Sequence, residues 1–252
     1  MRKNTGDMEP MFPKRDGQLV DIAMDVHREA AALGGALHKI TRGRIADLLR
    51  HINSYYSNLI EGHHTHPSDI ERAVRKDYDT DSKKRALQEL SLAHIEVQKE
   101  IEKRLINQPN LKICTKDFLC WIHKTFYEQV PKEFRRINHP DTDETIMMNP
   151  GELRDRSVKV GRHIPPLSDR LVDFLNRFNE SYNPDDLHGS KKLIAVADSH
   201  HRLAWIHPFL DGNGRVARLF SHAYMKKAKI ESHGLWTISR GLSREKEDYQ
   251  RF

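Results

Sequence analysis

No stretch of this chain approaches the roughly 18 consecutive apolar residues that a membrane-spanning helix requires. No apolar segment follows Met1-Arg2-Lys3 either, which removes a secretory signal from consideration. Cysteine is nearly absent. Cys114 and Cys120 are the whole complement, their spacing fits neither a zinc site nor a redox pair, and so few thiols point to a reducing, cytoplasmic setting. No block of five or more lysines and arginines occurs, so the net charge of +6 favours anionic partners without supplying a nucleic-acid-binding tail. Internal repeats are missing, as is the strand–helix alternation of a parallel sheet, and the Gly-x-x-x-x-Gly-Lys-Ser/Thr phosphate loop occurs nowhere.

What is present reads mostly as helix. Residues 1–18, with Pro10, Pro13 and Gly17, form a flexible leader in this reading. Leu19 to Leu37 is alanine-rich and helical, broken near Gly34-Gly35. Ile45, Leu48, Leu49, Ile52, Tyr56, Leu59 and Ile60 recur at three- and four-residue steps, the stripe of an amphipathic helix that stops at Gly62. His63, His64 and His66 lie in the loop beyond it, with no acid or cysteine nearby to complete a metal set. Ser68 and Glu71 have capping-box spacing for a short helix. Residues 83–106 form a longer helix, and Asn107-Gln108-Pro109-Asn110 is the best boundary, separating an N-terminal helical region (19–108) from a core (109–252).

Beyond it, a helix begins at Thr115 and runs through Trp121 and Phe126, and residues 135–150 read as loop. Ser157-Val158-Lys159-Val160 alternates as a strand, so a short hairpin is expected between Gly151 and Gly161. Helices follow over Leu167–Phe178, Ser190–Ile206 and from about Gly214 to Lys229. The chain ends at Arg251-Phe252 within helical sequence. The fold class is mostly α with one short β-hairpin.

The densest chemistry lies at Ile206-His207-Pro208-Phe209-Leu210-Asp211-Gly212-Asn213-Gly214-Arg215-Val216-Ala217-Arg218. Pro208 pushes His207 out of the α region and leaves an imidazole at a helix end. Gly212-Asn213-Gly214 permits a turn whose N–H groups converge on an anion, and the helix that starts at once adds its free N–H groups and dipole. Arg215 and Arg218, three apart, share a face as a clamp for phosphate oxygens. Asp211 can hold a hard cation such as Mg²⁺ together with phosphate oxygens. An imidazole of ordinary pKa near 6.5 suits proton abstraction. Each piece alone has a duller reading: a helix-end histidine, a plain turn, two solvated arginines. Their combination in this order points to a nucleotide-phosphate site.

His207-Pro208-Phe209-x-Asp211-Gly212-Asn213-Gly214-Arg215-x-x-Arg218 resembles the signature of Fic-domain proteins at every defining position. The resemblance implies a Fic-type helical bundle with a hairpin flap, and an enzyme that transfers AMP from ATP, with Mg²⁺, to a hydroxyl of a target protein. By that resemblance, His207 would deprotonate the acceptor Ser, Thr or Tyr, and Asp211 would hold the Mg²⁺. Gly212, Asn213 and Gly214 would bind phosphate oxygens, with the Asn213 amide meeting the developing charge. Arg215 and Arg218 would neutralise the outer phosphates, and Phe209 would anchor the loop. Gly151, Arg154, Val158, Val160 and Gly161 would belong to a flap that pairs with the target backbone by strand addition.

Ser57-Asn58-Leu59-Ile60-Glu61-Gly62 carries a second signal. Ser57 and Glu61 share a face, and a carboxylate in a last helical turn sits badly with the helix dipole by a few tenths of a kcal/mol. Alone, this describes an exposed glutamate. Beside the signature it resembles the family's inhibitory-helix motif, here on a helix over about 42–62. The resemblance implies that Glu61 pairs with Arg218 and takes space needed by a γ-phosphate. The expectation is therefore an autoinhibited protein adenylyltransferase whose partner is a target protein, the chain itself being one candidate. Transfer of another nucleotide or phosphate-containing group, or removal of AMP with Glu61, are the nearest alternatives. A basic nucleic-acid-binding regulator with a vestigial site is a separate class, and the intact signature argues against it. The sequence allows either a monomer or an oligomer.

Overall fold

The computed structural model describes residues 3–14, 16–138, 145–230 and 235–251. Ten helices and one two-stranded sheet are found among them: α1 (Gly17–Gly35), α2 (Lys39–Ile60), α3 (Pro67–Val74), α4 (Ser82–Asn107), α5 (Lys116–Tyr127), β1 (Arg136–Asn138), β2 (Thr145–Met147), α6 (Leu171–Tyr182), α7 (Ser190–Ile206), α8 (Asn213–Lys227), α9 (Ile238–Arg244) and α10 (Lys246–Arg251). Short 3₁₀ turns precede α1, β1 and α6. The result is a mostly α-helical bundle with a small antiparallel hairpin.

Helix α8 is the axis of this bundle. It packs against α7, α4, α5, α9 and α2, and every residue from Arg215 to Tyr224 is buried. Val216, Ala217, Leu219, Phe220, Ala223 and Tyr224 join one apolar core with Phe118, Leu119, Ile122 and Phe126 of α5, Phe174, Leu175 and Phe178 of α6, and Leu203 and Ile206 of α7. Leu90, Val97 and Ile101 of α4 belong to the same cluster, so the core continues across residues 107–110. Full burial of a side chain such as Phe220 is worth roughly 1.5–3 kcal/mol.

Local chemistry fixes the helix ends. The Thr115 hydroxyl accepts the Phe118 N–H at the start of α5, and the Asp81 carboxylate accepts from Lys84 at the start of α4. At α3 the expected Ser68 cap is displaced. Pro67 occupies the first turn, and the His66 ring accepts the Ser68 N–H, so the cap lies two residues earlier than the capping-box spacing suggests. At the end of α2, Gly62 N–H donates to the Leu59 carbonyl (3.1 Å) and His63 N–H to the Asn58 carbonyl (2.9 Å), the paired bonds of a Schellman motif.

Four expectations need correction. Residues 3–14, expected as a flexible leader, dock on α6 and α7. Met8 and Met11 are buried in the core, Tyr182 donates to the Met11 carbonyl, Arg202 donates to the Pro10 carbonyl, and Arg177 pairs with Glu9. Residues 135–150, read as loop, contain β1 and β2, paired antiparallel with Ile137 opposite Ile146; residues 139–144 of that stretch lie outside the described residues. The strand expected over Ser157–Val160 is reduced to a single bridge, in which Val160 and His163 exchange two 2.9 Å backbone bonds around a turn at Gly161. Finally, α2 is helical as its periodicity indicates, but of its apolar stripe only Ile60 is fully buried, and Ile45, Leu49, Ile52, Tyr56 and Leu59 are half-buried. Leu48 is 56% exposed, whereas Asn53, Ser54, Ser57 and Asn58 are buried. That face is matched by polar partners: Ser54 donates to the Ser91 carbonyl, Asn58 to the Ser91 hydroxyl, and Asn53 to the Trp236 carbonyl.

Candidate functional site

The loop between α7 and α8 carries the site. His207 takes a left-handed conformation (φ 51°, ψ 61°), which ends α7 as the following proline requires. Burial, with smaller effects from Arg154 and His163, lowers its pKa to about 4, so the imidazole is neutral near pH 7. Arg154 braces this turn from below. Its backbone N–H donates to the Pro208 carbonyl, its Nε to the His207 carbonyl (2.8 Å), and its other nitrogens to the carbonyls of Arg156 and Pro166. The His163 ring nitrogen lies 2.7 Å from the Trp205 carbonyl. The Gly161 turn is thereby tied alongside His207.

Phe209 is fully buried and stacks on His123 at 4.1 Å with planes 10° apart. Asn213 closes the loop: its Oδ1 accepts the Phe209 N–H and its Nδ2 donates to the Phe209 carbonyl, both at 2.9 Å. The side-chain amide expected to meet developing charge is thus engaged as a clamp on the loop backbone. Gly212 begins α8 with φ 78°, and a Cβ there would meet the Tyr127 hydroxyl at 2.3 Å, so both conformation and space demand glycine. Tyr127 in turn receives a hydrogen bond from Arg215 Nη1 (3.1 Å). The Nε of buried Arg215 has no partner among the described residues. The Asp211 side chain is exposed, and no cluster of three His, Cys, Asp or Glu residues able to hold a metal occurs among the described residues. Any cation at Asp211 would need oxygens from elsewhere, as Mg²⁺ bound through one carboxylate and substrate phosphates does.

Arg218 and the end of α2 meet over the first turn of α8. Arg218 is buried; its Nε donates to the Ser57 hydroxyl (2.9 Å), and its Nη2 to the Ser57 carbonyl (3.2 Å) and to Glu61 Oε1 (2.5 Å). Its Nη1 reaches the Tyr249 hydroxyl of α10 at 3.4 Å. Burial pushes the Glu61 carboxyl upward, but Arg218 and Arg215 overcome that effect and hold its pKa below the ordinary value. A Cβ at Gly214 would lie 2.5 Å from Glu61 Oε1 and 3.0 Å from Arg218 Nη1. The carboxylate therefore rests on the open N-terminus of α8.

Two residues here escaped the sequence reading. His123 and Tyr127, four apart on α5, support the loop from beneath, with His123 Nε2 3.3 Å from the Asp211 carbonyl and Nδ1 accepting the Gly151 N–H at 2.7 Å. Only their i, i+4 spacing among core positions could have signalled a shared face.

Comparison with known proteins agrees with this architecture. Residues 113–225 match the model of the Fic/DOC family. A protein adenylyltransferase Fic from Nematostella vectensis is 41% identical over 81 residues, which is 31% of this chain and 18% of that protein. One from Drosophila mojavensis is 37% identical over 78 residues, covering 31% and 16% respectively. The matched stretch thus spans less than a fifth of these curated relatives. Among solved structures, a Fic family protein from Desulfovibrio desulfuricans superposes over 95% of this chain and 67% of its own, with a TM-score of 0.67 at 18% identity. A Fic domain containing signaling protein from Bacteroides thetaiotaomicron gives 0.65, also at 18% identity, over 92% and 79%. A helical bundle with the His207-to-Arg218 loop at the head of its central helix is the class that fold and site define. Residues 113–225 of this chain are similar to the Fic/DOC family, and four helices, α1 to α4, precede that stretch.

Proposed function

We propose that the protein is an autoinhibited protein adenylyltransferase, which transfers AMP from ATP to a hydroxyl side chain of a target protein. One observation carries the reading. Glu61, an anion, occupies the N-terminus of α8 against Gly214 and Arg218, the position to which backbone N–H groups, helix dipole and guanidinium would draw a phosphate. The same groups serve both ligands, so nucleotide binding and the Glu61–Arg218 pair compete.

In the transferring state, neutral His207 accepts the proton of the acceptor hydroxyl as its oxygen attacks the α-phosphorus. Pyrophosphate leaves, and the N–H groups of Gly212 to Gly214 together with Arg215 and Arg218 neutralise the charge that develops. Asp211, exposed on the loop, would hold Mg²⁺, which when bound offsets phosphate charge. Asn213 keeps the loop closed through its two bonds to Phe209. The segment with half-buried Val158 and exposed Val160, turned at Gly161 and braced by Arg154, serves as the docking segment for target backbone, with Gly151 at its base.

The test uses α-labelled and γ-labelled ATP with Mg²⁺. Label from the α position should enter protein, rise in Glu61→Gly, and fall by a factor of about 10² or more in His207→Ala. Label arriving only from the γ position would replace AMP transfer with kinase chemistry. If Glu61→Gly leaves the rate unchanged, the inhibitory role of α2 is lost from the reading.

A further inference from the structure

We propose that His123 is a positioning residue that registers the docking segment, at Gly151, to the cation-bearing loop, at Asp211, through the two nitrogens of one ring. The proposal deepens the adenylyltransferase reading and rests on it for the roles of those two segments.

His123 lies on α5 and is fully buried. Its two nitrogens face different parts of the chain. Nδ1 accepts the Gly151 N–H at 2.7 Å, so it carries no proton. The proton is therefore on Nε2, which donates to the Asp211 carbonyl at 3.3 Å. Phe209 stacked on the ring and Tyr127 tilted at 4.7 Å prevent it from turning.

Both ends of the bridge are held tightly. Gly151 has φ 86°, and a Cβ there would meet Lys124 Cβ at 2.9 Å and the Cys120 carbonyl at 3.2 Å, so the chain lies directly on α5. Asp211 sits one residue before the left-handed Gly212, which is wedged against Tyr127. Because the Asp211 side chain projects to solvent, the orientation of its own backbone decides where the carboxylate points. The Arg154 brace fixes the docking segment to His207, and His123 fixes it to Asp211. Acceptor position, base and cation ligand thus share one frame.

Amide side chains can separate the two halves of the bridge. His123→Asn retains an acceptor near the Nδ1 position, His123→Gln retains a donor near the Nε2 position, and His123→Phe keeps the stack but neither bond. Two readouts, neither requiring turnover, are hydrogen exchange at the Gly151 amide and the Mg²⁺ concentration that half-saturates binding of a non-hydrolysable ATP analogue, measured by calorimetry on the full chain. In His123→Gln the Gly151 amide should exchange about tenfold faster while the Mg²⁺ midpoint stays near wild type, the loss corresponding to one hydrogen bond. In His123→Asn the amide should stay protected while the Mg²⁺ midpoint rises about fivefold. His123→Phe should move both.

If the Asn and Gln variants shift both readouts alike, or shift neither, His123 is only a core residue and the proposal fails. The wild-type protein offers a check free of any folding defect. Its His123 ¹⁵N shifts should report an Nε2–H tautomer, and an Nδ1–H tautomer overturns the proposal. Absence of analogue binding in the wild type would instead refute the nucleotide reading, while exchange and tautomer would still decide the bridge.

Discussion

Helices α8 and α2 meet at Arg218, yet they are held by different forces. Between Val216 and Tyr224, α8 places Val216, Ala217, Leu219, Phe220, Ala223 and Tyr224 in the apolar core, while Arg218, Ser221 and His222 carry its polar contacts. Apart from Ile60, the buried residues of α2 are Asn53, Ser54, Ser57 and Asn58, held by hydrogen bonds to Ser91, Trp236 and Arg218. Arg50 adds an ion pair to Glu102 of α4, itself bonded to His222 of α8. Burial against a packed core is hard to reverse, because separating it exposes apolar area and leaves voids. Hydrogen bonds and ion pairs contribute about 0.5–1.5 kcal/mol each because water is a fair substitute. One helix is held chiefly by apolar packing, and the other chiefly by polar contacts.

That contrast can be broken at its strong end first. Phe220→Ala, at a fully buried position among Phe178 and Tyr224, should cost about 3–5 kcal/mol in urea unfolding. A loss comparable to that of one hydrogen bond would mean α8 is no more tightly packed than α2. Next, Glu61→Ala should raise AMP transfer while lowering stability by about 1–3 kcal/mol, because Arg218 keeps Ser57 and Tyr249 as partners. An accompanying loss of activity would make Glu61 part of the transfer machinery.

Acidification sharpens the comparison from the polar side. Burial raises the Glu102 pKa, but hydrogen bonds from His222 and Arg50 bring it down to about 2, below its ordinary 4.5. A carboxylate depressed in the folded state stabilises fully above its unfolded pKa and loses that contribution as pH falls toward the folded value. Between pH 6 and about pH 3, the urea midpoint of the wild type should therefore fall further than that of Glu102→Gln. Equal slopes would remove Glu102 from the set of contacts securing α2. The smallest effect belongs to Ser54→Ala, which deletes the 2.7 Å bond to Ser91 and should cost about 1 kcal/mol in the same assay.

The same contrast explains what could be read in advance. The His207–Arg218 segment was legible because its parts are contiguous and follow local rules: a pre-proline helix end, a glycine at a left-handed position and a helix starting at once. The helical state of α2 was legible from its period, but its buried face was not. Periodicity finds apolar stripes, whereas Ser54 and Asn58 are buried by a partner 37 and 33 residues away. His123 was hidden for a related reason, since its partners at 151 and 211 become neighbours only when α5 passes beneath both. The leader was misread because prolines and polar residues dominate its composition, while two methionines, Met8 and Met11, carry its docking.

The paired bonds that close α2 at Gly62 also make the helix a measuring rod. Ser54 and Asn58 engage α4 at one mark, and Ser57 and Glu61 reach Arg218 at another, all counted from the same end. A single residue inserted between Asn58 and Glu61 would advance the carboxylate by about 1.5 Å and swing it by about 100° around the axis. It would then miss the guanidinium with no side chain in the site altered. The spacing between these seats, as much as the glutamate itself, is what chain-length variation would have to preserve.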